Sequence, residues 1–151
     1  MKNKNYLYGL LLYGFIAGFT SPVSAEIRQC DKEFISSDDS HIVYMGRISR
    51  SIPHIVRFTY PGVSILANFE GTSLQMKAKP GSGAFMVEVD DELPYRINFA
   101  ENDSIQTLAE GLPEGTHRVR IMYAIEGYEL KPAFKGFYLD KGCRLAEAPV
   151  L

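Results

Sequence analysis

Residues 63–90 read VSILANFEGTSLQMKAKPGSGAFMVEVD, and the spacing of their apolar side chains decides the fold. Val63, Ile65, Ala67 and Phe69 alternate with Ser64, Leu66, Asn68 and Glu70. Leu74, Met76 and Ala78 alternate with Ser73, Gln75, Lys77 and Lys79, and Phe85, Val87 and Val89 with Ala84, Met86, Glu88 and Asp90. Successive side chains of a strand point to opposite faces, so a period of two turns one row toward a core and the other mostly toward water. A helix would scatter the same residues around its surface. Glu70-Gly71-Thr72 and Pro80-Gly81-Ser82-Gly83 supply turn chemistry at the two joints.

The same punctuation continues on both sides. Strands are predicted over residues 42–48, 55–60, 63–70, 73–79, 84–90, 95–99, 104–108, 117–125 and 133–139, about nine in all. Further joints fall at Pro61-Gly62, Asp90-Asp91-Glu92 and Pro113-Glu114-Gly115. No stretch of the mature chain sustains a helical period. Strands at this spacing predict an all-β fold, a jelly-roll β-sandwich of two antiparallel sheets spanning residues 42–145. Residues 26–41 are polar, closing on Ser36-Ser37-Asp38-Asp39-Ser40, and are expected to be a partly ordered lead-in. Residues 146–151 read as the start of a linker.

With 151 residues, 46% of them hydrophobic and 23% charged, the chain has the composition of one globular domain, which excludes intrinsic disorder. Residues 1–25, MKNKNYLYGLLLYGFIAGFTSPVSA, begin with Lys2 and Lys4, continue through an apolar run and end in small residues. This is the pattern of a secretory signal peptide of bacterial type, with cleavage expected after Ala25. The product is then periplasmic or secreted, and no later segment approaches the ~20 residues of a bilayer span. Losing both lysines leaves 14 basic against 18 acidic side chains. With no basic stripe, nucleic acid is not an expected partner. Cys30 and Cys143 are an even pair in an exported chain. They are either a disulfide closing a loop of roughly 110 residues, which the chain-entropy model values at about 4–5 kcal/mol, or two unrelated thiols.

A catalytic serine needs a base and an oxyanion hole. Ser82, in Gly81-Ser82-Gly83, lacks the strand-turn-helix setting of a nucleophile elbow and reads as a flexible hairpin turn. His41, His54 and His117 stand singly, without metal-ligand spacing, and His117 reads as a surface imidazole at the start of a strand. Asp90, Asp91 and Glu92 read as a turn and not as an oxygen cage. No catalytic residue, metal ligand or cofactor site is assigned. Sugar binding would call on flat aromatic rings; there is no Trp, and most of the tyrosines fall on strands. Tyr128, in Glu126-Gly127-Tyr128-Glu129, is the best candidate for a sugar contact from a loop.

One ordered series of motifs is more specific than any of these features. It comprises Tyr44-Met45-Gly46-Arg47, Phe58-Thr59-Tyr60-Pro61-Gly62-Val63-Ser64-Ile65, Ala67-Asn68-Phe69-Glu70-Gly71-Thr72-Ser73-Leu74, Val87-Glu88-Val89-Asp90, Leu112-Pro113-Glu114-Gly115-Thr116-His117 and Phe134-Lys135-Gly136-Phe137-Tyr138-Leu139-Asp140-Lys141-Gly142. The series resembles the N-terminal domain of carbohydrate esterase family 2 over residues 42–145. The resemblance implies a jelly roll joined to a following SGNH-type hydrolase domain that removes acetyl groups from xylan and related polysaccharides. In that family the nucleophile lies in a Gly-Asp-Ser strand end. This sequence contains no Gly-Asp-Ser, so no catalytic residue is carried over. The expectation is a noncatalytic domain of an acetylxylan-type esterase, whose partners are the hydrolase domain and acetylated polysaccharide. The alternative is an independent carbohydrate-binding module.

Overall fold

The computed structural model describes residues 31–150; the expected signal peptide, residues 1–25, and Cys30 lie outside the described residues. Eleven strands follow one another: β1 (Lys32–Ser36), β2 (Val43–Met45), β3 (Ser49–Ile52), β4 (Ile55–Arg57), β5 (Ser64–Glu70), β6 (Leu74–Ala78), β7 (Gly83–Val89), β8 (Tyr95–Phe99), β9 (Ile105–Ala109), β10 (Thr116–Tyr123) and β11 (Ala133–Asp140). No helix occurs among the described residues.

The strands form two sheets. One has the order β2-β5-β10-β7-β8; the other has β3-β4-β11-β6-β9, with β1 also paired to β11. Every pairing is antiparallel. From β5 to β11 the chain passes repeatedly from one sheet to the other, only β7 and β8 being consecutive in the same sheet, which gives the predicted β-sandwich. The alternation decides which face is inside: Ile65, Ala67, Phe69, Leu74, Met76, Ala78, Phe85 and Val87 are buried between the sheets. Aromatic rings pack between the layers and within each of them, and Tyr44 of β2 meets Phe134 of β11 edge-on across the layers at 6.2 Å. Phe85 meets Phe58 edge-on at 6.0 Å and Tyr123 at 5.1 Å, while Phe134 meets Phe137 at 5.0 Å. Truncating one such buried ring to Ala costs about 3–5 kcal/mol.

Two strands are new relative to the sequence reading, and one of them corrects it. Residues 32–36 are not a lead-in but β1, in register with β11 from Lys32 opposite Asp140 to Ser36 opposite Gly136. Its apolar pair, Phe34 and Ile35, is adjacent in sequence, so the two side chains leave on opposite faces and no period of two is visible. Ile35 packs on the core, and the Phe34 ring lies over Gly136. Gly136 occupies an irregularity in the β11–β6 register at φ +143°, and a Cβ there would stand 2.1 Å from the Ile35 carbonyl oxygen. Only glycine lets β1 approach. The other addition, β3, is exposed along its whole length and carries no apolar row.

The register sorts the connections to two ends. Thr116 pairs with Glu70 at one end of the β5–β10 ladder and Met122 with Ser64 at the other. The β7–β8 turn belongs to the first end. Residues 46–49, 58–62 and 124–132 belong to the second. There the Gly127 N–H donates to the Thr59 carbonyl (2.8 Å) and the Lys131 N–H to the Gly127 carbonyl (2.8 Å), folding the β10–β11 loop against the end of β4.

Candidate functional site

Two neighbouring cavities occupy the second end. Val56 and Phe58 face the core, so strand alternation turns Arg57 and Thr59 outward. Ser49 stands opposite Arg57 across the β3–β4 pair. With Arg47 and Lys131 these residues line a cavity of about 350 Å³ that has a wall at Phe58. No carboxylate among the described residues lies within ion-pair distance of Arg47, Arg57 or Lys131. The Arg47 guanidinium sits 5.6 Å from the centre of the Tyr60 ring. Leu130, the residue before Lys131, lines the second cavity with Glu126, Tyr128 and Glu129; this space is about 410 Å³. Tyr128 is 78% exposed. An open aromatic face beside two carboxylates can stack on a sugar ring and accept its hydroxyl protons.

Three clusters elsewhere contain the residue types of hydrolytic chemistry, and each has a geometry that serves the fold. Ser36, His54 and Asp38 converge, but Ser36 Oγ (3.2 Å) and Asp38 Oδ2 (2.9 Å) both meet Nδ1 of His54. A relay needs the acid on one ring nitrogen and the nucleophile on the other. Ser73 meets Lys32 and Asp140: Lys32 Nζ donates to Asp140 Oδ1 (2.7 Å) and to Ser73 Oγ, and the serine donates to the same carboxylate at 2.8 Å. Burial pushes the Asp140 carboxyl up, but Lys32 and Ser73 outweigh it and hold the group below the usual carboxylate range. A lysine paired with an ionised carboxylate is a cation and not a base, so the cluster ties β1 and β11 to the start of β6.

The third cluster is His117 with Asp90. Nδ1–H of His117 donates to Asp90 Oδ2 (2.6 Å) and Nε2–H to the Pro113 carbonyl (2.8 Å). Both ring nitrogens face acceptors, which is the pattern of an imidazolium. Burial pulls the His117 pKa down, but the Pro113 carbonyl and Asp90 outweigh it and raise the value. Burial likewise pushes Asp90 up, but the Arg118 N–H and His117 bring it below the ordinary range. The ring is therefore buried, where the sequence placed it on the surface. It is covered by Phe69, with ring centres 5.5 Å apart.

Ser82 is also corrected. It is fully buried between strands of different sheets, donating to the Lys79 carbonyl (2.6 Å) and accepting from the Ala133 N–H (3.3 Å). Its hydroxyl is structural and the turn is packed. Of the sequence candidates, Tyr128 lies on the open loop as expected. Cys143 packs against Gly71, and burial followed by the Asp140 charge pushes its thiol up; its pairing with Cys30 falls outside the described residues. Arg47, Arg57 and Lys131 carried no sequence signal as a group, because strand register and a loop more than 70 residues downstream of Arg57 bring them together.

The chain is similar to known carbohydrate esterases. The family model described as carbohydrate esterase 2 N-terminal matches residues 44–149. A curated acetylxylan esterase / glucomannan deacetylase of Cellvibrio japonicus (strain Ueda107) is 29% identical over 119 residues, covering 78% of this chain and 33% of that protein. A solved structure of a family two carbohydrate esterase from Cellvibrio japonicus matches with a TM-score of 0.70 at 27% identity, over 80% of this chain and 36% of that one. One from Clostridium thermocellum, in complex with cellohexaose, matches with a TM-score of 0.61 at 29% identity, over 72% and 34%. The chain thus spans about a third of the length of these relatives.

Proposed function

Because the chain belongs to the carbohydrate esterase 2 N-terminal family, we propose that it is the noncatalytic β-sandwich of an exported esterase, acting in polysaccharide deacetylation together with a hydrolase domain of the SGNH type. The observation that carries this reading is coverage: the match takes in 78% of this chain but 33% of the acetylxylan esterase / glucomannan deacetylase. Function follows sites and not folds, and the remaining two-thirds of such a protein is where a nucleophile, base and oxyanion donors would be sought. In this reading the sandwich packs beside the hydrolase domain and borders its substrate cleft.

The test is acetate release from acetylated xylan by the purified chain. The expected rate equals that of a buffer blank, and release above it would overturn the noncatalytic assignment. Export is checked separately. Mass spectrometry of the periplasmic and culture fractions should find a mature N-terminus at Glu26, and an intact Met1 terminus would oppose it.

A second reading, an independent carbohydrate-binding module, is favoured by one feature, the exposed Tyr128 ring beside its own cavity. It predicts retardation of the chain in gels containing xylan, mannan or cellulose chains, weakened by Tyr128→Ala. Equal mobility with and without every polymer would remove it.

A further inference from the structure

The cavity next to that of Tyr128 is lined by three cations and, among the described residues, no carboxylate ion-paired to them, on a chain whose sequence balance is acidic overall. What sets the site apart is that three such cations converge on one cavity. Arg118, Arg144, Lys32 and Lys141 each have an acidic partner at hydrogen-bond or ion-pair distance; among the cations without one, Arg50 lies over the Tyr44 ring, Lys77 over the Phe34 and Tyr138 rings, and Lys79 donates to the Leu130 carbonyl. The lining mixes chemistries. Arg47, Arg57 and Lys131 offer positive donors, Ser49 and Thr59 offer hydroxyls, and Phe58 closes one side. A volume of about 350 Å³ holds a pyranose ring with a substituent. Guanidinium groups match carboxylates in shape as well as charge, through paired N–H donors.

The geometry points to a subsite for a carboxylated sugar: the cavity of Arg47, Arg57 and Lys131 takes the carboxylate of a uronic acid residue on a polysaccharide chain that also passes Tyr128. This inference rests on the reading that the domain contacts polysaccharide. It adds a preference, acidic over neutral chains, that the aromatic loop alone would not create. Leu130 and Lys131 are consecutive and line one cavity each, so a single glycan can occupy both. Glu126 and Glu129 lie on the Tyr128 side and would repel a uronate there, which orients the acidic unit toward the arginines.

The experiment compares retardation of the full chain in gels of glucuronoxylan, which bears glucuronic acid side groups, and of the same polymer after chemical reduction of its carboxyls to alcohols. Binding to glucuronoxylan should be about fivefold to tenfold tighter, the size of one charge-assisted contact at a partly open site. Arg57→Gln should bring the two polymers to parity, as should Arg47→Gln in part. Arg96→Gln, an exposed cation on the other sheet, should leave the difference intact and so exclude a general charge effect. Equal affinity for both polymers, lost in Tyr128→Ala, would overturn the acidic subsite and leave sugar binding standing. No retardation by either polymer would overturn both. If an acidic protein surface is the true occupant, Arg57→Gln would leave the polymer comparison unchanged, which also overturns the proposal.

Discussion

The two ends of the sandwich are built from the same kinds of residue and treat charge in opposite ways. At the end marked by Thr116 and Glu70, His117 lies between Asp90 and the Pro113 carbonyl, Arg118 pairs with Asp91, and Lys32 and Ser73 share Asp140. At the end marked by Met122 and Ser64, Arg47, Arg57 and Lys131 face a cavity with no counter-ion among the described residues, and Tyr128 stands 78% exposed. Charge satisfied within the chain stabilises the fold and is spent there. Charge left open does little for the fold and is free to meet a ligand. Mutations should therefore separate stability from binding by end.

The largest effect is expected from Asp90→Ala. The carboxylate accepts from the Arg118 N–H (2.9 Å) and from the His117 ring, and the residue sits at φ +51°. Alanine leaves a buried imidazolium without its counter-charge, orphans a backbone donor and tolerates the left-handed conformation poorly. These add to about 2–3 kcal/mol, read as a lower urea midpoint at pH 6. Asp90→Asn keeps the turn, since Asn accepts that conformation, and should recover part of the loss. A midpoint unchanged in Asp90→Ala would show that this end is not held by its ion pair.

A smaller and pH-dependent effect follows from the same pair. His117 is raised above its ordinary 6.5, so its contribution is complete below that pH and is lost as the pH climbs through the folded value. Asp90 and Asp140 are lowered, so theirs are complete above about pH 4 and are lost in acid. Stability should be greatest between these limits and decline from pH 6 to 9. In His117→Gln that alkaline decline should disappear. A wild-type midpoint that is level from pH 6 to 9 would mean that the imidazole is not the cation its two acceptors imply.

How far the sequence reveals each end follows from distance along the chain. The core faces of β5, β6 and β7 are legible because alternation is local: Ile65, Ala67 and Phe69 need no partner to declare their face. β1 is not, because Phe34 and Ile35 show no period and the strand exists through Gly136, a hundred residues on, whose missing Cβ admits it. β3, SRSI, is an exposed edge held by the Ser49–Arg57 pairing, so its sequence looks like loop. Tyr128 was visible as an aromatic among loop residues. The cations beside it were not, since Arg47, Arg57 and Lys131 belong to three separate segments and a cavity is a property of their convergence. His117 was misplaced for a related reason: its burial depends on the Asp90 turn and the Phe69 ring, neither adjacent to it in sequence.

The smallest effect on stability belongs to the open end, and it is the sharper test of the contrast. Arg57→Gln removes a charge with no ionic partner among the described residues, and Tyr128→Ala removes a ring already in water. Each should move the urea midpoint by no more than about 0.5 kcal/mol equivalent while changing affinity for polysaccharide. Lys131→Gly is instructive because two terms oppose. The residue holds φ +48°, so glycine relieves left-handed strain of about 1 kcal/mol, but a freer unfolded chain takes back a comparable amount. The Lys131 N–H to Gly127 carbonyl bond is kept, since it uses only backbone. Net stability should stay within about 0.5 kcal/mol of wild type while one cation leaves the cavity. A loss of more than about 1 kcal/mol would mean that the open end also carries the fold, and the division between a closed end and a receptive one would fail at that residue.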